Sequence, residues 1–183
     1  MQFLNTIDHQ IFIFLNSYHN SWLDGFMLFI THKYASIPLY IFLVGFIINH
    51  YKKKSWVVIV ALIAIVAISD ALASQAMKPY FKRLRPCHEV GFAEKVVLVG
   101  NCGGDYGMAS SHAANTFAVA SFLIILFNKK YKWMWLLLPW TLLVSYSRIY
   151  LGVHFPGDVL AGFLVGFVVQ MAAVGLIWRK LRP

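Results

Sequence analysis

Apolar residues fall in long runs separated by short charged stretches. Trp56 to Met77 is interrupted by a single charge at Asp70, Ala113 to Phe127 and Trp133 to Ser147 are shorter, and Phe155 to Trp178 is long. A hydrocarbon core about 30 Å thick needs roughly 20 helical residues to cross it, so these runs predict membrane helices, the last with some tilt. An earlier run, Phe26 to Ile48, carries His32 and Lys33, and its clean apolar part begins only at Tyr34. Gln2 to Tyr18 is different. Phe3, Leu4, Ile7, Ile11, Phe14 and Leu15 recur at helical spacing, with Asn5, Asp8, His9 and Asn16 between them. That pattern fits a helix lying in the membrane interface; an irregular ordered tail is the alternative. The expected fold is an all-α integral membrane bundle of about five transmembrane helices, preceded by an interfacial amphipathic segment over 1–22.

Composition agrees with a membrane protein. The 183 residues suffice for one domain, 60% are hydrophobic and only 13% are charged. The net charge of +9 would suit a nucleic-acid partner, but its placement says otherwise. Lys52, Lys53 and Lys54 follow the first run, Lys129, Lys130 and Lys132 the third, and Arg179, Lys180 and Arg182 the fifth. If the spans alternate, all nine lie on one face, which the positive-inside rule makes cytoplasmic. Ordinary topology therefore explains the charge and removes nucleic acid as a partner. The opposite face receives the N-terminal segment, the connection 78–108 and the short connection 148–155. Long connections without evident secondary structure tend to be functional.

Three outer segments carry residues with reactive chemistry. In the first, Lys78, Lys82, Arg83 and Arg85 precede Pro86 on the face that otherwise has few cations, which suggests a site for an anion. In the second, Ser110 and Ser111 lead into a helix beside His112, where exposed N–H groups form a natural phosphate cradle; a capped helix with an interfacial histidine is the plainer reading. In the third, Pro156 suits the first turn of a helix and places Asp158 in that turn, within reach of His154. A carboxylate on one imidazole nitrogen leaves the other as a directed nucleophile or base. Arg148 can enter the same cavity as a bidentate clamp on an oxyanion. A loop histidine beside a helix-capping aspartate is the alternative. His9, His19, His32, His50 and His88 read as solvated or capping groups.

Together the three segments resemble the signature of the type 2 phosphatidic acid phosphatase superfamily: Lys-x6-Arg-Pro, then Pro-Ser-Gly-His, then Ser-Arg-x5-His-x3-Asp. The first is complete at Lys78, Arg85 and Pro86, and the third at Ser147, Arg148, His154 and Asp158. The second departs from the pattern, with Ala109 for proline and Ser111 for glycine. The resemblance spans Asp24 to the end of the chain. It implies a single phosphatase domain over 1–183, with neither metal nor other cofactor, working through a phosphohistidine. His154 is then the nucleophile, Asp158 its orienting partner and His112 the acid for the leaving oxygen. Lys78, Arg85, Arg148, Ser110 and the N–H groups near Ser111 surround the phosphate.

The implied partner is a phosphorylated lipid, handled at the outer face of a bacterial cytoplasmic membrane. The amphipathic start makes the chain most similar to compact members that recycle undecaprenyl diphosphate. Phosphatidylglycerol phosphate, phosphatidic acid and lipid A phosphate are alternatives. A non-catalytic phospholipid binder needs no His154–Asp158 pair, whereas a small transporter would use Asp70 as its intramembrane acid. Cys87 and Cys102 both fall in the outer connection, where a disulfide is permitted. A bridge closing about 15 residues would contribute roughly 3 kcal/mol in the chain-entropy model; two independent thiols are the other possibility. Gly162 and Gly166 form a small-residue step that serves either dimerisation or packing within the bundle.

Overall fold

The computed structural model describes residues 2–181, so Met1 of the interfacial segment and Arg182 of the third basic cluster lie outside the described residues. The architecture is all-α, with no strand among those residues beyond one isolated bridge between Leu84 and Tyr106. The helices are α1 Gln2–Leu15, α2 Ser21–Thr31, α3 Ile37–Tyr51, α4 Ser55–Ala71, α5 Lys78–Phe81, α6 Ser111–Phe127, α7 Leu137–Tyr150 and α8 Pro156–Leu181.

The run expected over Phe26 to Ile48 is two helices. Asn20 caps α2 by accepting from the Leu23 N–H at 2.9 Å, α2 stops at Thr31, and α3 restarts with Pro38 in its first turn. Polar His32 and Lys33 sit in the turn between them, so the apolar run contains a corner, and Trp22 belongs to α2 rather than to the N-terminal segment. From α3 the chain reverses through a tight turn at Lys52–Lys54 into α4, and a connection this short makes the two helices antiparallel neighbours. The expected span Trp56 to Met77 also runs further. After α4 a six-residue π-helical turn, Leu72–Met77, leads directly into α5. Lys78 is therefore held on a helix and not in a loop. Such wide turns inside helices recur at functional sites because they re-aim the residues that follow.

By length and composition, the apolar stretch 37–81, which includes the reversal, and 156–176 are able to cross a membrane, and α6 is a shorter apolar helix. The outward faces agree: Ile41, Phe42, Ile63, Leu164 and Val168 are exposed, as lipid-facing positions should be. The core lies between α3, α4, α6 and α8, with Ile47, Val58, Ile65, Phe122, Leu123 and Phe127 buried. Alpha-6 and α8 approach closest. A Cβ on Gly162 would lie 2.5 Å from the Ser110 carbonyl, and one on Gly166 would lie 2.5 Å from the Ala114 carbonyl. The glycine step thus serves packing within the bundle, and it draws the N-termini of α6 and α8 together.

Helix α1 forms as its periodicity predicts, but its two faces have unexpected partners. Phe3, Leu4, Ile7, Ile11 and Phe14 point outward and are exposed, while Phe12 and Asn16 are buried. The side facing the protein is mixed, with Asp8, His9 and Asn16 beside Phe12. Asn16 donates to the carbonyls of Val97 at 3.0 Å and Tyr150 at 2.7 Å and accepts from the Val97 N–H at 2.8 Å. It thereby fastens the connection between α5 and α6 to the end of α7. Within that connection Cys87 and Cys102 are joined by a disulfide, with Cα atoms 6.2 Å apart.

Candidate active site

The site is built where α4–α5, α6, α7 and α8 end on the same side. Phe155 is the residue just before α8, and Asp158 lies in the first turn. The Asp158 carboxylate reaches back to accept the Phe155 N–H at 3.0 Å through Oδ2. This is half of a capping box, the ordinary way a third-position acid satisfies a free N–H. The same oxygen lies 3.4 Å from His154 Nδ1. The capping and dyad readings of this aspartate are therefore one arrangement. His154 is 2% exposed and Asp158 fully buried, which denies the pair alternative partners in water.

With Nδ1 turned to the carboxylate, His154 Nε2 faces Arg85, whose Nη1 lies 3.4 Å away. Arg85 is fixed by donating from Nε to the Gly104 carbonyl at 2.5 Å and from Nη1 to the Val153 carbonyl at 3.1 Å. Burial, followed by the nearby charges of Arg85, Arg148 and Lys78, holds the His154 imidazole well below its usual protonation range. A hydrogen bond to the Gly107 backbone opposes this and does not reverse it. The ring is neutral near pH 7, as a nucleophile requires. Burial lowers the proton affinity of Arg85 while Asp158 raises it, and a guanidinium stays charged through such a shift.

A cavity of about 420 Å³ opens in front of this pair. Its walls include Lys78, Arg85, Ser111, His112, Arg148 and His154. Arg148, in the last turn of α7, donates from Nη1 to Thr31 Oγ1 at 2.7 Å, and its buried Nε has no protein partner. Ser110 and Ser111 separate in their placement. Ser110 is the N-cap residue of α6, but its side chain makes no capping bond. Its Oγ is buried without a partner, and it is not among the residues lining the cavity. Its backbone N–H donates to the Asp158 carbonyl at 2.9 Å, tying α6 to α8. Ser111 does reach the cavity wall, and its Oγ lies 2.7 Å from Ser74 Oγ in the π turn. Asp158 stands behind His154, off the cavity surface.

Sequence reasoning missed several neighbours. Thr31, His32 and Lys33 join the cavity because the corner after α2 folds over it; the polar break in the apolar run was the available signal. Asp70 also lines the cavity and accepts from Asn115 Nδ2 at 3.3 Å. Arg83 contacts Asp158, and Asp8 contacts Arg83; nothing in the spacing of these residues relates them. Among the described residues, one group of potential metal ligands clusters, Cys87, His88 and Cys102, and the disulfide already occupies both sulfurs.

Comparison with known proteins gives the class. The family model of the PAP2 superfamily matches residues 55–182. The chain is 36% identical over 169 residues to the lipid A 4'-phosphatase of Bacteroides thetaiotaomicron, covering 91% of this chain and 75% of that one. It is 28% identical to the undecaprenyl-diphosphatase of Sulfolobus acidocaldarius, covering 90% of this chain and 76% of that one. Its fold matches the crystal structure of the transmembrane PAP2 type phosphatidylglycerolphosphate phosphatase of Bacillus subtilis with a TM-score of 0.74 at 23% identity, over 98% of this chain and 88% of that one. The chain belongs to the PAP2 superfamily. It is a membrane lipid phosphatase of that family.

Proposed function

We propose that this protein removes a phosphate from the headgroup of a membrane glycolipid of the lipid A type, through a phosphohistidine and without metal. The observation that carries the reading is the convergence of the His154–Asp158 pair and the cations Lys78, Arg85 and Arg148 on one cavity. Nε2 of His154 attacks phosphorus in line, and the bond from phosphorus to the lipid oxygen breaks. His112, which lines the same cavity, gives that oxygen its proton. Water then attacks phosphorus and gives a proton back to His112, the N–P bond breaks, and inorganic phosphate leaves. Asp158 holds Nδ1–H throughout and stabilises the charged ring. Lys78, Arg85, Arg148 and Ser111, with the N–H groups opening α6, bear on the equatorial oxygens. Phosphoryl transfer asks mainly for positioning and for stabilisation of spread negative charge, and three fixed cations supply both.

An apolar groove of about 470 Å³ supports a lipid rather than a soluble substrate. It is lined by Leu43, Val44, Leu62, Ile63 and Ala67 among others, and it shares Tyr40 and Val66 with the polar cavity. An acyl or prenyl chain placed there delivers its phosphate to His154. The preference for a lipid A type headgroup rests on the similarity to the lipid A 4'-phosphatase; undecaprenyl diphosphate, favoured by the second relative, is the other reading. Phosphate release by purified protein in detergent decides between them. Lipid A is expected to turn over fastest in a panel with undecaprenyl diphosphate, phosphatidylglycerol phosphate and phosphatidic acid, and excess EDTA should leave the rate unchanged. A faster undecaprenyl diphosphate reaction reverses the order of the two readings. Loss of activity in EDTA, restored by a divalent ion, overturns the metal-free mechanism.

We also place the chain in a bacterial inner membrane as a bundle of about five spans, with the site on the outer face. The basic clusters at Lys52–Lys54 and at Lys129, Lys130 and Lys132 lie at turns remote from the site. The disulfide in the connection beside the site suits an oxidising compartment. A topology reporter inserted at Gly104 should therefore read as external, and a cytoplasmic reading would refute the orientation.

A further inference from the structure

We propose that Asp8 and Arg83 are positioning residues for the His154–Asp158 pair, so that the N-terminal helix is part of the catalytic apparatus. The proposal rests on the roles given above to His154 and Asp158. Its basis is a continuous chain of contacts. Arg83 Nη1 lies 3.1 Å from Asp158 Oδ1, and Arg83 Nη2 lies 2.5 Å from Asp8 Oδ2. The other oxygen of Asp8 accepts the Gly157 N–H at 2.8 Å, so α1 also satisfies a free donor at the start of α8. The side chains of Asp8, Arg83 and Asp158 are 14%, 21% and 0% exposed, which shields the chain from competing water.

The neighbouring contacts are arranged to admit this chain. The Arg83 guanidinium lies over the Phe155 ring, 4.4 Å from its centroid. His9 stacks on Phe155 at 4.8 Å, and Phe12 meets its edge at 5.3 Å. A Cβ on Gly157 would fall 2.8 Å from Asp8 Oδ2 and 3.0 Å from Arg83 Nη1, so only glycine leaves room there. Arg83 does not line the phosphate cavity. It faces the opposite side of the dyad from the substrate.

The physical role follows from the two oxygens of Asp158. Oδ2 serves His154 and the Phe155 N–H, and Oδ1 has Arg83. A carboxylate bonded on both oxygens cannot rotate, so the imidazole keeps one tautomer and one direction. Asp8 has a second effect. Alone, Arg83 would cancel the negative charge with which Asp158 stabilises the positive imidazole ring; Asp8 returns the net charge of the three groups to negative. Phe3, Leu4, Ile7, Ile11 and Phe14 of α1 meanwhile face outward, which keeps Asp8 seated when the helix lies against lipid.

The test is steady-state kinetics on the full chain, with kcat expressed per vanadate-binding site so that unfolded protein is not counted. Asp8→Asn should lower kcat about 10-fold and Arg83→Gln about 100-fold, the range expected when a reacting group is displaced without being removed. KM and the vanadate Ki should stay unchanged, because Lys78, Arg85 and Arg148 are untouched. Arg83→Lys should recover part of the loss. The Asp8→Asn/Arg83→Gln double variant should be no slower than Arg83→Gln alone, since the two act through one path. Wild-type kcat per site in both single variants overturns the proposal, and so does a raised KM and Ki with kcat retained, which would make Arg83 a phosphate ligand. These outcomes are distinct from failure of the underlying mechanism, which would appear as activity in His154→Ala.

Discussion

His154→Ala is expected to abolish turnover while the helical bundle remains folded and membrane-inserted. The side chain is buried in a small loop between α7 and α8, and its truncation removes the proposed attacking nitrogen without disturbing the glycine-mediated packing of α6 against α8. Of the other groups lining the cavity, Arg85 and Arg148 are cations, and His112 is the proposed acid for the leaving oxygen. Asp158→Asn is expected to lower kcat by about 10³ to 10⁴, the scale set when a Ser-His-Asp triad loses its carboxylate and the imidazole adopts the wrong tautomer. Arg83 draws the amide oxygen to its own side, which turns the amide nitrogen toward His154 and gives up the bond from the Phe155 N–H; one lost cap costs about 1 kcal/mol and leaves the bundle folded. Phosphate release measured beside circular dichroism checks both points. A near-normal rate in folded His154→Ala would sink the phosphohistidine mechanism.

The second large effect is at Arg148. Arg148 lines the cavity, its Nη1 is held by Thr31, and its buried Nε has no protein partner. A buried donor left unmatched is costly, and in the proposed mechanism an equatorial phosphate oxygen would supply the match as negative charge spreads in the transition state. Arg148→Ala should reduce kcat/KM by about 10² to 10³, the range for losing one prepared oxyanion donor. Arg148→Lys should restore only part of it, because an ammonium lacks the planar fork. Thr31→Val, which releases one guanidinium nitrogen, should cost less than either. A fall in KM affinity alone, with kcat intact, would reassign Arg148 to ground-state binding.

The chemistry of the site was legible where residues lie close in sequence on one helix start. His154, Pro156 and Asp158 are within five positions, and local helix geometry alone brings the imidazole to the carboxylate. The same holds for Ser111 and His112 at the start of α6. Lys78 and Arg85 were visible as a cluster of cations out of place for their side of the membrane, although the continuation of α4 through the π turn was not. A wide turn has no composition of its own, since it differs from an α-helix only in which carbonyl each N–H reaches. The corner at His32 and Lys33 was read as an imperfect span for a related reason: hydropathy reports burial in lipid, and it passes through a reversal whose flanks are both apolar.

The sequence by itself determined an all-α membrane bundle and most of the residues that meet in the cavity, because both depend on periodicity, spacing or composition within a few turns of chain. Only the tertiary structure decided which side of α1 faces the protein. An amphipathic pattern separates two faces but does not say whether the polar one meets water or a buried partner, and here Asp8 and Asn16 are turned inward to Arg83, Gly157 and the end of α7. It also decided between the serines, sending Ser111 to the cavity and Ser110 into the joint between α6 and α8. Adjacent residues at a helix start point about 100° apart, so their roles depend on where a second helix lies, and that helix starts 45 positions further along the chain, brought close by the glycines at 162 and 166.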